Sequence, residues 1–197
     1  MKNICVFCGS SVGSDKRYAE AAARLGDVLA DNGCTLIYGG GSIGLMNVIA
    51  DRMLERGCEV IGVMPAFLLG HEIGHPSITK MIPTKTMAER KEILILESDA
   101  FIAMPGGFGT LDEFSEVVVA DQLRLIEKPV ALYNTLGYYD DLVRWINRGI
   151  KDGFVRGDHS KNIIVTDDPK ELFQRLEQYH PVTMEQWIQD IKEEVKS

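Results

Sequence analysis

The stretch AFIAMPGGFGTLDEF, residues 100–114, joins an apolar run to a glycine-rich loop and then to a helix-like pattern. The apolar run shows no alternation with polar residues, as expected of a strand that helices cover on both faces. Glycine permits positive φ and close backbone approach, and a helix N-terminus presents free N–H groups to an anion. The stretch therefore predicts a strand, a turn able to bind a phosphate, and a helix.

The same order of strand and helix recurs along the chain. Strand-like runs lie at 4–8, 34–38, 59–64, 100–104, 129–133 and 162–166, and helix-like patterns lie at 15–32, 43–56, 110–124, 138–150 and 168–178. Such alternation is typical of α/β proteins with right-handed crossovers. We expect one Rossmann-like domain over 1–180, an α/β fold with a doubly wound parallel sheet and helices on both faces.

Two other strands are predicted to end in glycine-rich loops, CGSSVG at 8–13 and YGGGSIG at 38–44. Parallel strands place their C-terminal ends at one edge, so the three loops should meet in the crevice where the strand order reverses. Ser10 and Gly40 are candidate substrate-binding residues in these loops. GGGSIG formally matches the dinucleotide motif, but no acidic residue ends the following strand, which argues against NAD.

The pair Thr110 and Glu113 has two interpretations. In the structural one it forms a capping box, in which Thr110 caps the helix and Glu113 bonds back to the backbone. In the functional one Gly107, Gly109 and Thr110 surround a phosphate, and Glu113 faces the attached sugar. A carboxylate in the first turn of a helix tends to stay ionised, so it could stabilise a developing cation or activate water.

The stretch TMAERKE, residues 86–92, places Arg90 and Lys91 near the start of the helix that leads to the strand at 100–104. A charge cluster of this kind is usually a solvated face. The alternative is recognition of an anion and a base, because the guanidinium group of arginine offers a planar fork of donors.

The stretch HEIGH, residues 71–75, formally matches a zinc-protease motif. That motif needs a helix, which Gly74 and Pro76 disfavour, so the sequence predicts no metal site here. Glu72 lies in the long irregular region 65–84 and could instead meet a ligand hydroxyl, since long loops in compact domains are often functional.

Composition narrows the classes of partner and compartment. The net charge of −8 and the lack of a basic block argue against nucleic-acid binding, and no apolar run approaches the roughly 20 residues of a membrane span. No signal peptide is expected. The cysteines at positions 5, 8, 34 and 58 are predicted to be unpaired thiols, which fits a cytoplasmic protein. The final segment, 181–197, is expected to form an amphipathic helix packed on the domain or on a partner subunit.

Together these motifs resemble the Lonely guy (LOG) family, the cytokinin riboside 5′-monophosphate phosphoribohydrolases, whose members are often labelled putative lysine decarboxylases. The segments that carry the resemblance are CVFCGSS (5–11), YGGG (38–41), GLM (44–46), VIGVMP (60–65), MAERK (87–91), SDAFIAMPGGFGTLDE (98–113), KPVALYN (128–134), GYYDDL (137–142) and TDDPKEL (166–172). They span nearly the whole chain.

The resemblance implies hydrolysis of the N-glycosidic bond of a purine nucleoside 5′-monophosphate, such as AMP or an N6-modified AMP, to free base and ribose 5-phosphate. It implies Arg90 and Glu113 as the catalytic pair, a homodimer, and no metal or organic cofactor. Implied substrate contacts are Glu72, Arg90, Lys91, Gly107, Phe108, Gly109, Thr110, Leu111, Asp112 and Glu113.

Three of the departures from the family pattern leave the preferred base open: Ala88 replaces a histidine, and Val119 and Ala120 replace threonine and tryptophan. An alternative function is a non-catalytic carrier of a phosphorylated ligand, similar to molybdenum-cofactor carriers. The presence of both Arg90 and Glu113 favours the enzyme, because a carrier needs no charged catalytic pair. No lysine lies in a recognisable aldimine context, which argues against lysine decarboxylation.

Overall fold

The computed structural model describes residues 1–69, 73–157, 162–181 and Lys192. The strands are β1 (Asn3–Phe7), β2 (Thr35–Tyr38), β3 (Val60–Pro65), β4 (Lys80–Thr84), β5 (Ala100–Ala103), β6 (Val130–Tyr133) and β7 (Ile163–Thr166). The helices are α1 (Arg17–Asp31), α2 (Gly44–Glu55), α3 (Ala66–Leu69), α4 (Met87–Glu97), α5 (Phe108–Gln122), α6 (Asp140–Lys151) and α7 (Pro169–Glu177), with a 3-10 turn at Thr135–Gly137. The predicted C-terminal helix lies outside the described residues.

The strands form one parallel sheet in the order β4-β3-β2-β1-β5-β6-β7. From β1 the chain winds outward to β4, and it then returns to the other side of β1 with β5. The strand order therefore reverses between β1 and β5, where Phe7 is in register with Ala103. This confirms the predicted doubly wound parallel sheet and fixes the position of its crevice.

Strand β4 corrects the prediction that residues 65–84 are irregular throughout. It pairs with β3 at the edge of the sheet, with Ile82 beside Val63. Its sequence, KMIPT, contains an exposed Lys80 and a proline, Pro83, so it lacks the continuous apolar pattern by which the other strands were predicted. Proline is tolerated here because an edge strand has one side without a ladder partner.

Apolar side chains cover the sheet on both faces. One face packs against α1, α2 and α7, with Leu25, Ile49 and Leu172 fully buried. The other packs against α4, α5 and α6, with Leu94 and Val117 buried. Burying a large aliphatic side chain contributes about 1.5–3 kcal/mol, so these two layers hold the sheet edge in place. Among the described residues, no helix is both long and apolar enough to span a membrane.

The three predicted glycine loops meet at the C-terminal edge of the sheet. The Gly9 N–H donates to the carbonyl oxygen of Pro105 at 3.0 Å, and the Leu45 N–H donates to that of Gly9 at 3.0 Å. Gly44 has φ of +64°, and a Cβ there would lie 2.3 Å from the carbonyl carbon of Ser10. Only glycine permits this approach of backbone to backbone, so the loops form one continuous surface.

Candidate active site

A cavity of about 510 Å³ opens at the crevice between β1 and β5. Seven of the residues predicted to bind substrate line it: Ser10, Arg90, Gly107, Phe108, Gly109, Thr110 and Glu113. The lining thus combines the loop after β1, the first turns of α4 and the N-terminal half of α5. The fold brings together residues that are about 100 positions apart in the sequence.

Arg90 and Glu113 form an ion pair inside this cavity. The Arg90 Nη1 atom lies 2.7 Å from Glu113 Oε1, and the two side chains are only 12% and 10% exposed. The Arg90 Nε–H also donates to the carbonyl oxygen of Val63 at 3.0 Å, which fixes the guanidinium plane. A Cβ at Gly39 would lie 2.4 Å from Arg90 Nη2, so the glycine leaves the space that the guanidinium occupies.

Burial raises the pKa of Glu113 above its ordinary value, although the Arg90 charge and hydrogen bond act to lower that pKa. A carboxylate so enclosed interacts strongly with any cation that develops beside it, because little water screens the charge. Burial, followed by the nearby Glu113 charge, raises the pKa of the Cys8 thiol, which also lines the cavity. Cys8 is therefore a neutral thiol and a poor nucleophile.

Two side-chain caps position Arg90 at the start of α4. The Thr86 Oγ1 atom accepts from the Glu89 N–H at 3.1 Å, and the Glu89 carboxylate accepts from the Lys85 N–H at 2.6 Å. The signal was present in the sequence, since T-M-A-E has the spacing of a capping box. At Thr110 and Glu113 a capping box was one of the two interpretations that the sequence allowed.

The capping box predicted at Thr110 is wrong, because α5 begins at Phe108 and its N-cap is Gly107, which makes no side-chain cap. Thr110 is buried one turn further in, where its Oγ1 packs against Gly106. Glu113 consequently lies in the second turn, turned toward Arg90. The first N–H groups of α5 have no acceptor within the helix, and Gly107, Phe108 and Gly109 line the cavity, which is the setting of an anion site.

Other predicted contacts lie away from the cavity. Lys91 pairs with Asp112 at 3.1 Å and with Glu116 at 2.9 Å, bridging α4 and α5 outside the cavity lining. Leu111 lines a separate apolar groove between α5 and α6. Gly40 has φ of +78° and packs toward β3 and β4. Glu72 lies outside the described residues, and its role stays a prediction.

The three departures from the family pattern also lie outside the cavity lining. Ala88 is exposed, Val119 is 48% exposed in the α5–α6 groove, and Ala120 is buried in the core. The apolar part of the lining comes instead from residues that the sequence analysis did not single out: Ile43, Met46, Met64, Leu68, Ile73 and Met87. Methionine side chains adapt to irregular shapes, which suits a wall against a planar base. In the sequence, Met64 ends a predicted strand and Met46 comes just after a glycine-rich loop, and these positions were the available indication that they line the site.

Fold and site together define a Rossmann-like α/β protein with a cavity at the C-terminal edge of its sheet and a buried arginine–carboxylate pair. A family model described as possible lysine decarboxylase matches residues 46–176. A probable cytokinin riboside 5′-monophosphate phosphoribohydrolase, LOGL1 of Oryza sativa subsp. japonica, is 43% identical over 89% of this chain and 79% of its own length. The Arabidopsis thaliana phosphoribohydrolase LOG1 is 42% identical over 91% and 84%. The chain belongs to the LOG family.

Solved structures share the fold at lower identity. The molybdenum-cofactor carrier protein of Chlamydomonas reinhardtii has a TM-score of 0.67 and 23% identity, with 90% of this chain and 96% of that chain covered. The molybdenum cofactor binding protein of Rippkaea orientalis has a TM-score of 0.65 and 22% identity, with 90% and 97% covered. At this identity the likeness concerns the fold alone.

Proposed function

We propose that this protein hydrolyses the N-glycosidic bond of purine nucleoside 5′-monophosphates, AMP or a cytokinin-type N6-modified AMP, to free base and ribose 5-phosphate. The observation that carries the proposal is the buried pair of Arg90 and Glu113 in a cavity at the N-terminal end of α5. Relatives at 41–43% identity bear the name of this activity, which supports the same assignment.

The substrate phosphate would bind the free N–H groups of Gly107, Phe108 and Gly109, and Ser10 lines the same cavity. Binding at the phosphate would lend remote binding energy to the reacting centre. No side-chain charge is needed there, because backbone dipoles at a helix N-terminus favour an anion.

Glu113 would then face the anomeric carbon. As the C1′–N bond breaks, its electron pair passes to the base, and positive charge develops on the sugar as in other glycoside cleavages. The carboxylate stabilises that charge and directs water, whose oxygen forms the new bond to C1′. The water releases one proton to solvent and the departing base takes one up, so the products are neutral base and ribose 5-phosphate. Arg90 holds the carboxylate in place and donates a hydrogen bond toward the departing base.

The test is to incubate purified protein with AMP and with N6-isopentenyl-AMP and to measure ribose 5-phosphate. Glu113→Gln should lower turnover at least about 100-fold, the scale expected for a positioned catalytic carboxylate. Glu116→Gln is the matched control, because Glu116 lies one turn further along α5 and pairs with Lys91 outside the cavity. Tight nucleotide binding without release of base would favour a carrier and contradict the proposal.

Lysine decarboxylation has no support in this cavity. An aldimine requires a lysine amine whose pKa is lowered, yet hydrogen bonding to Glu116 raises the pKa of Lys91. That ammonium is held between two carboxylates, and among the described residues that line the cavity none is a lysine.

A homodimer is also part of the proposal. An apolar groove of about 370 Å³ runs between α5 and α6, and Leu111, Val119 and Trp145 in its lining are 41%, 48% and 69% exposed. Contiguous apolar surface of this kind is typical of interaction sites. We propose that the segment 181–197 packs on this domain or on the partner subunit. Light scattering of the purified chain, with and without that segment, measures the oligomeric state.

A cytoplasmic location is proposed on the state of the thiols. Cys5, Cys8 and Cys34 are buried, Cys58 is half-buried, and all four are free. Unpaired thiols are typical of proteins in a reducing compartment. Fractionation of cells that express the tagged protein tests this location.

A further inference from the structure

We infer that Tyr138 and Tyr139 are positioning residues for the phosphate-binding loop that precedes α5. The inference rests on the proposed function, because it assumes that this loop binds the substrate phosphate. The Tyr138 hydroxyl donates to the carbonyl oxygen of Gly106, and the Tyr139 hydroxyl donates to that of Met104 at 2.6 Å. Both tyrosines come from the connection between β6 and α6, which contributes nothing to the lining of the main cavity.

Three consecutive carbonyl groups of the loop are thereby held from outside it. The carbonyl oxygen of Met104 accepts a hydrogen bond from the Tyr139 hydroxyl, and that of Gly106 accepts one from the Tyr138 hydroxyl. The carbonyl oxygen of Pro105, between them, accepts from the Gly9 N–H at 3.0 Å. Each of these carbonyls has a fixed direction, so the peptide planes between them are fixed as well.

This arrangement sets the direction of the amide donors. In a planar trans peptide the C=O of one residue and the N–H of the next point in opposite directions. Holding the Pro105 carbonyl therefore orients the Gly106 N–H, and holding the Gly106 carbonyl orients the Gly107 N–H. The Gly107 N–H therefore points away from Tyr138. Gly107 is the first residue of the proposed anion site.

Packing alone does not hold Gly107. A Cβ built there meets nothing within 4 Å, and the hydrogen bond from the Leu111 N–H at 3.1 Å holds the Gly107 carbonyl and not its N–H. Glycine also has the widest backbone freedom of any residue, and immobilising it costs more conformational entropy than immobilising another residue. The hydrogen bond from Tyr138 is thus the contact that selects one direction for the Gly107 N–H.

The turn that carries the tyrosines is itself built with backbone constraints. Leu136 has φ of +57°, which is uncommon for a residue other than glycine, and Gly137 has φ of +70°. The Asn134 Oδ1 atom accepts from the Tyr139 N–H at 2.7 Å, and the Asn134 amide donates to Asp140 at 2.8 Å. Strained conformations of this kind persist where the surroundings enforce them, and they cluster at functional sites.

Tyr138 also lines a second cavity of about 310 Å³, which shares Gly9, Ser10 and Gly107 with the main one. The Tyr138 ring packs edge-on against Tyr18, with ring centroids 6.0 Å apart, and against Tyr139 at 5.1 Å. Three aromatic rings therefore pack against one another beside the loop. Replacing a hydroxyl alone leaves these ring contacts in place.

The experiment compares Tyr138→Phe with the wild type. Loss of one hydrogen bond of this kind predicts a rise of about 5- to 10-fold in the KM for AMP, with kcat changed less than about twofold. Calorimetry with ribose 5-phosphate should show the same rise in Kd, whereas adenosine, which lacks the phosphate, should bind equally well to both proteins. Tyr179→Phe is the matched control, because its hydroxyl bonds Asp121 at 3.1 Å, far from the loop.

An unchanged Kd for ribose 5-phosphate in Tyr138→Phe would overturn the inference. An equal loss of affinity for adenosine would also overturn it, because it would show general damage to the site and no selective effect on phosphate binding. Tyr138 is 45% exposed, so this variant should fold. Tyr139→Phe is a second variant, expected to show the same selective loss. Wild-type protein that binds ribose 5-phosphate but releases no base from AMP would refute the hydrolase alone. Wild-type protein that neither binds ribose 5-phosphate nor releases base from AMP would refute both proposals.

Discussion

Adding one methyl group at Gly39 should disable catalysis while leaving the fold intact. A Cβ at this position would lie 2.4 Å from Arg90 Nη2, whereas ordinary contacts begin at 3.4 Å. In Gly39→Ala the guanidinium must therefore retreat by about 1 Å. Its Nη1 atom starts 2.7 Å from Glu113 Oε1, so a retreat of that size carries the pair beyond normal hydrogen-bond length.

The expected loss of kcat is about 100-fold, since a displacement of about 1 Å at a catalytic group can cost that much. It corresponds to about 2.7 kcal/mol of transition-state stabilisation. The stability should change little, because the crowded atom is the tip of a flexible side chain. Gly39 is also not among the described glycines with positive φ, so alanine adds no backbone strain there.

The assay is release of ribose 5-phosphate from AMP, followed together with thermal unfolding of the same samples. Gly149→Ala is the control, because a Cβ there would crowd Val155 at 2.9 Å, on α6 and outside the cavity lining. Both variants should melt close to the wild type, and only Gly39→Ala should lose activity. Full activity in Gly39→Ala would show that the position of Arg90 does not limit the reaction.

Three further outcomes are expected. Because burial raises the pKa of Glu113 and the ionised form is the active one, kcat/KM should fall with decreasing pH along a limb above pH 4.5. Arg90→Met removes a charge that lowers this pKa, so the limb should move to still higher pH in that variant. A shift of the limb to lower pH would contradict the pairing of Arg90 with Glu113. Lys91→Met should change the KM for AMP less than about twofold, since the ammonium pairs outside the cavity. Thr86→Ala should lower the unfolding free energy by about 1 kcal/mol in urea titrations, because it removes the cap of α4, and an unchanged midpoint would argue against that cap.

The parallel sheet was predictable because its signal is local and repeated. Each inner strand is a short apolar run that ends in a loop, and several of these loops contain glycine. The topology then requires no further information, since parallel strands place all their C-terminal ends at one edge. Ser10 and Glu113 are therefore expected to share one crevice on the sequence pattern alone, and both line the same cavity. The edge strand β4 was missed for the opposite reason, because Lys80 and Pro83 break its apolar pattern.

Side-chain direction was harder to predict than position along the chain. Arg90 and Lys91 are neighbours on α4, and sequence reasoning treated them as one basic pair. A helix turns about 100° per residue, so adjacent side chains point to different surroundings. Arg90 consequently enters the cavity, whereas Lys91 reaches Asp112 and Glu116. The start of α5 was also hard to predict. The helix begins at Phe108, two residues before the predicted start, so Thr110 is a buried residue inside the helix and not its cap.

The fold alone does not distinguish an enzyme from a carrier, because molybdenum-cofactor carrier and binding proteins share it at TM-scores of 0.65–0.67. Burying two charges costs desolvation energy that their attraction does not always repay, and hydrophobic replacements are often neutral or stabilising. A protein that only holds a phosphorylated ligand gains little from Arg90 and Glu113 beside it. A protein that must stabilise a transient cation gains most from a carboxylate kept fixed and poorly solvated, which is how this chain holds Glu113.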